Sequence, residues 1–531
     1  MATTDMAMGV IGKYSVATAV ALALANVAHA NSSLNFTPFV SIEEIYSNNV
    51  EQDAIDTEDS FVTRTNFGVD TNIDSAKLKA SVNGTLSHLM YSHDSDANKG
   101  YESANATINY TPWQNALSLN LSGNISNGPR NIGSNLGSDL VSGDTVRTSN
   151  YSAGLSYQVN NSDFIFSANS QYSENSSDDD VGESKGHNSA INFQNGSGIH
   201  SIFWTVTGSY SDRENRGETG RSHRIDARFG FNTPWRLSPF IRYYDEEYSG
   251  SISNNNLNQS NSTGAGLRWS ISDRLVWNLS YNIVDDDSVG DDYIDTDISW
   301  QPSIRTSIAA SFSERFFGES YGLNVSHRNK RMTNTISYNE SVQAFQRDRL
   351  ESFIESTVFC PIGATETIDD CFSQLDPSDD PSGFVEIPIL GIRSVEDDQF
   401  SLFKTLAWNS SLNLKRTTFS LDISGNERQD LNTDSIRKTV GINFTASRRL
   451  NSKSDVSLSW RFTRNNFETE QTDIQTEETV DYYHSYTANY SRQLGETLSL
   501  DLNVRYLNRE SNNNFRVYDE TRATLSVRKD F

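Results

Sequence analysis

The sequence of 531 residues is poor in several residue types, and each shortage excludes a class of protein. Beyond the first thirty residues, no apolar run approaches the roughly 20 residues that a membrane-spanning helix needs. Mean hydropathy is −0.57 and hydrophobic residues make up 35% of the chain, which excludes a helical membrane protein. Basic residues number 43 against 69 acidic ones. Nucleic-acid binding needs clustered Lys and Arg, so nucleic acid is not expected as a partner.

Cysteine and catalytic motifs are scarce as well. The two cysteines, Cys360 and Cys371, both fall in the longest connection between predicted strands. In an exported protein a close pair favours a disulfide that staples a loop, and a C-x₁₀-C spacing matches no zinc signature. The chain contains no G-x-S-x-G or H-E-x-x-H motif. We therefore expect a disulfide, no metal, no cofactor, no catalytic residues and no enzymatic activity.

What the chain has in abundance is strict alternation of apolar and polar residues. Leu498, Leu500 and Leu502, for example, alternate with Ser499 and Asp501. Successive side chains of a strand point to opposite faces, so this spacing gives each strand one apolar and one polar face. The 27 Phe, 22 Tyr and 8 Trp residues recur in phase with the alternation, which disagrees with the disorder that such a polar chain otherwise suggests.

The alternating segments predict an all-β fold: a single transmembrane antiparallel up-and-down β-barrel of about 24 strands, within a range of 20–26. Long connections, such as 47–60 and 127–147, alternate along the chain with short ones, such as 71–75 and 159–162. This order is typical of outer-membrane barrels, which have long extracellular loops and short periplasmic turns. An even strand count also returns both termini to the periplasm. A soluble array of β-sandwiches is the alternative, but linkers between domains are missing.

Residues 1–30 predict a signal peptide. Lys13 supplies the positive charge, residues 14–27 the short apolar run, and Ala28 and Ala30 an A-x-A cleavage site, so the mature barrel is expected to cover 31–531 and begin at Asn31. Export of a barrel places it in the bacterial outer membrane, with membrane lipid and lipopolysaccharide as its surroundings. The first strand follows the cleavage site closely, which argues against an N-terminal plug and hence against a plugged siderophore-type transporter.

The last strand resembles the signal that the barrel-assembly machinery reads. Leu525, Val527 and the terminal Phe531 share one phase, although Lys529 interrupts it. The inward phase is polar throughout, so the lumen is expected to hold water, a protein plug or both. Inward aromatics such as Tyr483 could stack on a sugar. The segment 348–399 is expected either to cap the barrel from outside or to constrict the lumen. Its length far exceeds that of an ordinary loop.

The mature N-terminus carries a family resemblance. Residues 36–50 read FTPFVSIEEIYSNNV and residues 60–63 read SFVT. This resembles the PEP-CTERM system-associated outer-membrane β-barrel family, and residues 400–428, with their tight turn at 415–417, look similar. The resemblance extends in length and strand spacing over the mature chain. It implies a setting of exopolysaccharide export and supplies no catalytic residues.

On that resemblance, the expected function is a conduit or accessory for exopolysaccharide export, with the polymer and a periplasmic polysaccharide-export protein as partners. Inward Ser, Asn, Thr and Gln would bind sugar hydroxyls weakly and at many places, so that the polymer slides. Two alternatives stay open. One is a general diffusion porin, and the other is a structural or adhesion barrel that displays acidic loops.

Overall fold

The chain forms a β-barrel with one additional hairpin. The computed structural model describes residues 33–531 except 55–56, 114–115, 131–134, 253–258, 286–290, 345, 362–382, 398, 432–435, 470–476 and 513–515. Ala28, Ala30 and Asn31 of the predicted cleavage site lie outside the described residues, as does Cys371. Among the described residues, no helix is long and apolar enough to cross a membrane.

The described residues form twenty-six strands. They are β1 (Ser33–Ser47), β2 (Ser60–Asp74), β3 (Leu78–Tyr91), β4 (Lys99–Trp113), β5 (Leu117–Pro129), β6 (Thr145–Asn160), β7 (Phe164–Ser177), β8 (Ser184–Asn195), β9 (Ile202–Asn215), β10 (Glu218–Phe231), β11 (Leu237–Ser249), β12 (Gln259–Ser272), β13 (Leu275–Val284), β14 (Tyr293–Ser303), β15 (Thr306–Arg315), β16 (Gly318–Arg328), β17 (Met332–Gln343), β18 (Gln346–Pro361), β19 (Phe384–Asp397), β20 (Ser401–Asn413), β21 (Thr417–Asp430), β22 (Ile436–Arg449), β23 (Ser454–Thr469), β24 (Glu477–Gln493), β25 (Leu498–Ser511) and β26 (Tyr518–Asp530).

Twenty-four of these strands make one antiparallel sheet that closes on itself. Neighbours in the chain pair with one another, and the ring closes where β1 pairs with β26, from Phe39 opposite Asp530 to Ser47 opposite Arg522. The remaining strands, β18 and β19, pair only with each other, and β17 pairs directly with β20. The predicted fold and the count of 24 barrel strands are therefore confirmed. The predicted loop 348–399 contains most of the separate β18–β19 hairpin.

The two faces of the barrel follow the predicted alternation. On β25, Leu502 and Val504 point outward and are 44% and 42% exposed, while Asn503 and Arg505 point into the lumen. Their partners on β26 continue both surfaces, since Leu525 lies opposite Leu502 and Arg522 opposite Arg505. An apolar outer face and a polar inner face suit a barrel that meets lipid outside and water inside.

The wall bends sharply between β10 and β15. Nε of Arg315 on β15 donates to Glu246 on β11 at 2.9 Å, although three strands lie between them. Small inner-face residues make room for this approach. A Cβ atom at Gly266 would lie 2.5 Å from Cζ of Phe240, and one at Gly264 would lie 2.2 Å from Oδ1 of Asn282. Glycine is therefore required at both positions, and charged side chains fill the inside of the bend.

Exchanging a lipid-facing residue for a charge tests the assignment of faces. We expect Leu323→Arg, in the middle of β16 and on the outer face, to destabilise the barrel by about 2–4 kcal/mol, the usual effect of Arg at the bilayer midplane. The neighbouring Asn324→Arg, on the lumen side, is the control and should unfold with nearly wild-type stability. Urea unfolding in lipid vesicles measures both. Equal destabilisation by the two substitutions would contradict the assignment.

Candidate functional site

One extracellular connection turns into the barrel instead of away from it. It joins β5 to β6, and residues 135–143 of it are called the inner loop here. The backbone N–H of Leu136 donates to the hydroxyl of Tyr483 on β24 at 3.4 Å, and the hydroxyl of Tyr518 on β26 donates to Oδ1 of Asn135 at 2.7 Å. Since β5 and β25 are six strands apart around the ring, or about 29 Å at 4.8 Å per strand, the loop crosses a section of the lumen.

Two apolar side chains anchor the inner loop against the wall. Leu136 packs on the cluster formed by Tyr483, Leu507 and Tyr518. Val141 is buried in a second cluster of residues from the extracellular ends of β1 to β3, with Tyr91 donating a 2.9 Å hydrogen bond to its carbonyl oxygen. Between the anchors, Gly137 lies so close to the wall that a Cβ atom would come within 2.2 Å of the Tyr518 hydroxyl oxygen.

Asp139 shapes the loop and also ties it to the barrel. Its Oδ1 accepts hydrogen bonds from the backbone N–H groups of Val141 and Ser142, at 2.9 and 3.1 Å, the local turn that aspartate favours. Its Oδ2 accepts from Nη1 of Arg505 at 2.9 Å and from Nη1 of Arg522 at 2.7 Å. One carboxylate therefore bridges two guanidinium groups on adjacent strands.

A second carboxylate completes the attachment. Glu520 on β26 is 1% exposed, and its Oε1 accepts from Nη2 of Arg522 at 2.7 Å and from the hydroxyl of Ser142 at 3.0 Å. Nε2 of Gln52 donates to Oε2 of Glu520 at 3.1 Å and to the carbonyl of Gly137 at 3.0 Å. We call Asp139, Ser142, Arg505, Glu520 and Arg522 the latch.

The latch controls the ionisation of Asp139. Burial raises the pKa of the Asp139 carboxyl, but the guanidinium groups of Arg522 and Arg505 outweigh burial and hold this pKa below its ordinary value of 3.8. The docked loop therefore favours the charged carboxylate.

A cavity of about 450 Å³ lies on the lumen wall beside the latch. Arg505 and Arg522 belong to both the latch and this cavity, and Arg64, which is paired with Glu43, also borders it. The volume falls within the usual range for small-molecule sites. The rest of its lining is polar and comes from β24, β25 and β26: Thr487, Asp501, Asn503, Thr524 and Ser526.

The charges inside the bend of the wall are arranged differently, because every one is carried by a strand. Arg242 pairs with Asp226 at 2.9 Å and with Asp295 at 3.1 Å, and Arg228 pairs with Asp295 at 3.1 Å. These pairs join neighbouring parts of the wall and balance one another. The described residues contain no group of three or more His, Cys, Asp or Glu side chains placed to hold a metal ion.

The residues predicted from the sequence are not part of the latch. Cys360, at the end of β18, is buried and disulfide-bonded, and Cys371, its predicted partner, is not among the described residues. Leu525 and Val527 lie on the outer face of β26, and Phe531 follows that strand and is 68% exposed. Whether 348–399 caps or constricts the barrel stays a prediction. Tyr483 faces the lumen as expected.

Sequence reasoning missed the latch. The sequence pattern predicts an ordinary long extracellular loop at 127–147, and the segment expected to cap the barrel or constrict the lumen is 348–399. The inward phase of β25 and β26 does contain a signal, since Arg505, Arg509 and Arg522 all fall on it. The pattern could have indicated a basic stretch of the lumen wall, but it could not have identified Asp139 as the partner.

A closed 24-stranded antiparallel barrel with an apolar outside and a polar lumen is the architecture of bacterial outer-membrane barrels, and this chain is a protein of that membrane. No family model matches the chain, and no curated protein sequence matches it. The resemblance to the PEP-CTERM system-associated family stays a prediction.

Solved structures with a similar fold include siderophore receptors and an iron transporter. The siderophore receptor PirA from Acinetobacter baumannii is 9% identical, with a TM-score of 0.42, over 93% of this chain and 80% of that one. A variant of the ferric enterobactin receptor PfeA from Pseudomonas aeruginosa is 9% identical, with a TM-score of 0.42, over 94% and 80%. A variant of the FrpB iron transporter from Neisseria meningitidis is 10% identical, with a TM-score of 0.43, over 93% and 82%.

These neighbours correct the function expected from the sequence. They are siderophore and iron receptors, whereas the expectation was an exopolysaccharide conduit, with a general diffusion porin or an adhesion barrel as alternatives. All three expectations are wrong. Likeness at this level of identity shows the fold alone, so what this barrel handles has to be argued from its own residues.

Substituting Gly137 tests the fit of the inner loop. We expect Gly137→Val to displace the loop, because the new side chain collides with the buried Tyr518 and Leu507. Hydrogen exchange at the backbone amides of Val141 and Ser142 should become faster. Gly128→Val is the control, since a Cβ atom there meets nothing within 4 Å. Unchanged protection in Gly137→Val would refute the close packing described above.

Acid should release the loop, and the direction follows from the lowered pKa of Asp139. A lowered folded-state pKa contributes stability that is complete above the ordinary pKa and is lost as the pH falls through the folded value. The loop should therefore stay docked above pH 3.8 and detach only below it. A nitroxide label at Leu140→Cys reports the mobility. In Asp139→Asn the label should be mobile at neutral pH, and an unchanged acid step there would assign the release to another group.

Proposed function

We propose that this protein is a transport barrel that admits a solute from the extracellular side, and that the inner loop, docked on the arginines at the edge of the solute's binding cavity, restricts access to that cavity until it is released. The observation that carries the proposal is the latch. A loop held inside the lumen by Asp139, and bonded to the same two arginines that line a cavity, is placed to control access to that cavity.

The attachment is of a kind that can reverse. Hydrogen bonds to charged groups contribute about 1.5–3 kcal/mol each, and the two apolar anchors are single side chains. The conformational entropy lost by ordering the loop offsets part of the sum of these contributions, and a ligand that binds the released state more tightly than the docked state shifts the equilibrium toward release. The charged pairs inside the wall bend have no such freedom, because Arg242 and its partners are carried by strands of the hydrogen-bonded ring.

The remaining lumen wall suits a polar solute. A second concavity of about 710 Å³ runs across the inner side of β2 to β7 and is bordered by short polar side chains, among them Ser122, Ser152 and Asn169. The Ser122 and Ser152 hydroxyls are 2.7 Å apart and bond to each other. Groups that already have partners bind a passing solute weakly, which allows the solute to leave again.

Removing the latch carboxylate tests the proposal. Asp139→Ala deletes the bonds to Arg505 and Arg522. At about 1.5 kcal/mol each, the low end of the range, their loss of about 3 kcal/mol shifts the ratio of docked to released loop more than about a hundredfold. We expect higher single-channel conductance of the purified barrel in planar bilayers, and faster reaction of a thiol placed at Asn503→Cys with a reagent added from the extracellular side.

Asp144→Ala is the matched control. Asp144 flanks the inner loop but pairs with Arg130 at 2.6 Å instead of with the wall. It should leave both conductance and thiol reactivity at the wild-type level. If Asp139→Ala behaves like Asp144→Ala in both measurements, the inner loop does not control access and the proposal fails.

A further inference from the structure

We infer that Arg505 and Arg522 form the binding site for an anionic group of the solute, a carboxylate or a phosphate, and that this group takes the place of Asp139 when the inner loop leaves. The inference rests on the proposed function, because it requires the loop to be releasable. Beyond the proposed function, it specifies the chemical class of the solute. It also states that the solute competes with Asp139 for the two arginines, so that binding of the solute favours release of the loop.

The geometry of Asp139 is the first support. Its Oδ2 lies 2.9 Å from one guanidinium nitrogen and 2.7 Å from another on the neighbouring strand. Charge-assisted bonds of this length are the arrangement in which arginine recognises carboxylates and phosphates. The Asp139 carboxylate thus occupies the position that we assign to the anionic group of the solute. The loop that carries it must leave before a free anion can bind there.

The charge balance is the second support. Among the described residues, the guanidinium groups of Arg505 and Arg522 share the carboxylates of Asp139 and Glu520. When the loop leaves, Asp139 takes one negative charge away from these two guanidinium groups. An anion restores that charge, whereas a neutral solute does not.

Access from the lumen is the third support. Arg505 and Arg522 border the 450 Å³ cavity on the wall, so a solute in that cavity already touches the guanidinium groups that hold Asp139. Nε of Arg505 is buried and has no hydrogen-bond partner among the described residues, which leaves one donor of the site unused while the loop is docked. Asp139 itself is 33% exposed and can be displaced from the lumen side.

Calorimetric titration of the full-length barrel in lipid nanodiscs tests the inference. The probes are citrate and pyrophosphate at matched ionic strength, with sucrose as the neutral probe. We expect both anions, or one of them, to bind the wild type and sucrose not to bind. Tighter binding of citrate identifies a carboxylate site, and tighter binding of pyrophosphate a phosphate site. Absence of binding by both anions in both the wild type and Asp139→Asn overturns the inference.

The substitution Asp139→Asn gives the sharpest result, because it removes a competitor. Once the docked loop no longer occupies the arginines, the apparent affinity for the anion should rise about tenfold or more. Asp144→Asn removes the same charge from the same connection without touching the arginines and should leave the affinity unchanged. Equal tightening by both substitutions would mean a general electrostatic effect and would overturn the inference.

Arg505→Gln removes one half of the site and should weaken anion binding at least tenfold. The heat-dependent shift in electrophoretic mobility of this variant establishes whether the barrel has folded, and Asp139→Asn keeps the test decisive if it has not.

Failure of this inference can be distinguished from failure of the proposed function. If Asp139→Ala raises conductance while Asp139→Asn does not tighten anion binding, the loop controls access and the solute is recognised elsewhere.

Discussion

The structure depends on one constraint: inside a bilayer, the backbone of every strand must find its hydrogen-bond partners within the protein. The pairing of β1 with β26 satisfies this requirement by leaving the sheet without an edge. Closure divides the chain into an outer face, which meets lipid, and an inner face, which meets water. Because the wall is fixed by its backbone ladder, charged residues on the inner face can be gathered without cost to the membrane-facing surface, as Arg505 and Arg522 are.

The same constraint explains why so much of the fold could be predicted. Alternation reports which face a residue occupies, and in a closed up-and-down ring each strand pairs with its neighbour in sequence. The lipid-facing position of Leu502 and the lumen-facing position of Asn503 can therefore be predicted from the local alternation alone. The count of 24 barrel strands needed nothing more. The β18–β19 hairpin was not predicted, because Pro361 and Pro388 interrupt the alternation of apolar and polar residues. Its strands also pair with no strand of the ring.

The latch could not be predicted for the opposite reason. It joins Asp139 to Arg505 and Arg522 over separations of 366 and 383 residues, and no periodic pattern relates a loop to a distant strand. An aspartate among Ser, Gly and Asn residues has the composition of a solvated loop. The error in the expected function has the same origin, since strand spacing and a family resemblance describe the wall, whereas the solute is chosen by the contacts inside it.

The two sets of lumen charges show how a rigid barrel can contain a movable part. In the bend between β10 and β15, Arg242 and Asp226 lie on adjacent strands, so their pairing cannot change while the ladder holds. In the latch, the arginines belong to the ladder but Asp139 belongs to a loop, so the carboxylate can leave without breaking a single strand pairing. Because both arginines are carried by paired strands of the wall, the wall offers the same two guanidinium groups to the loop and to any anion that replaces it. Because the arginines lie on strands and Asp139 lies on a loop, the tethered Asp139 carboxylate and a free carboxylate or phosphate compete for the same guanidinium groups.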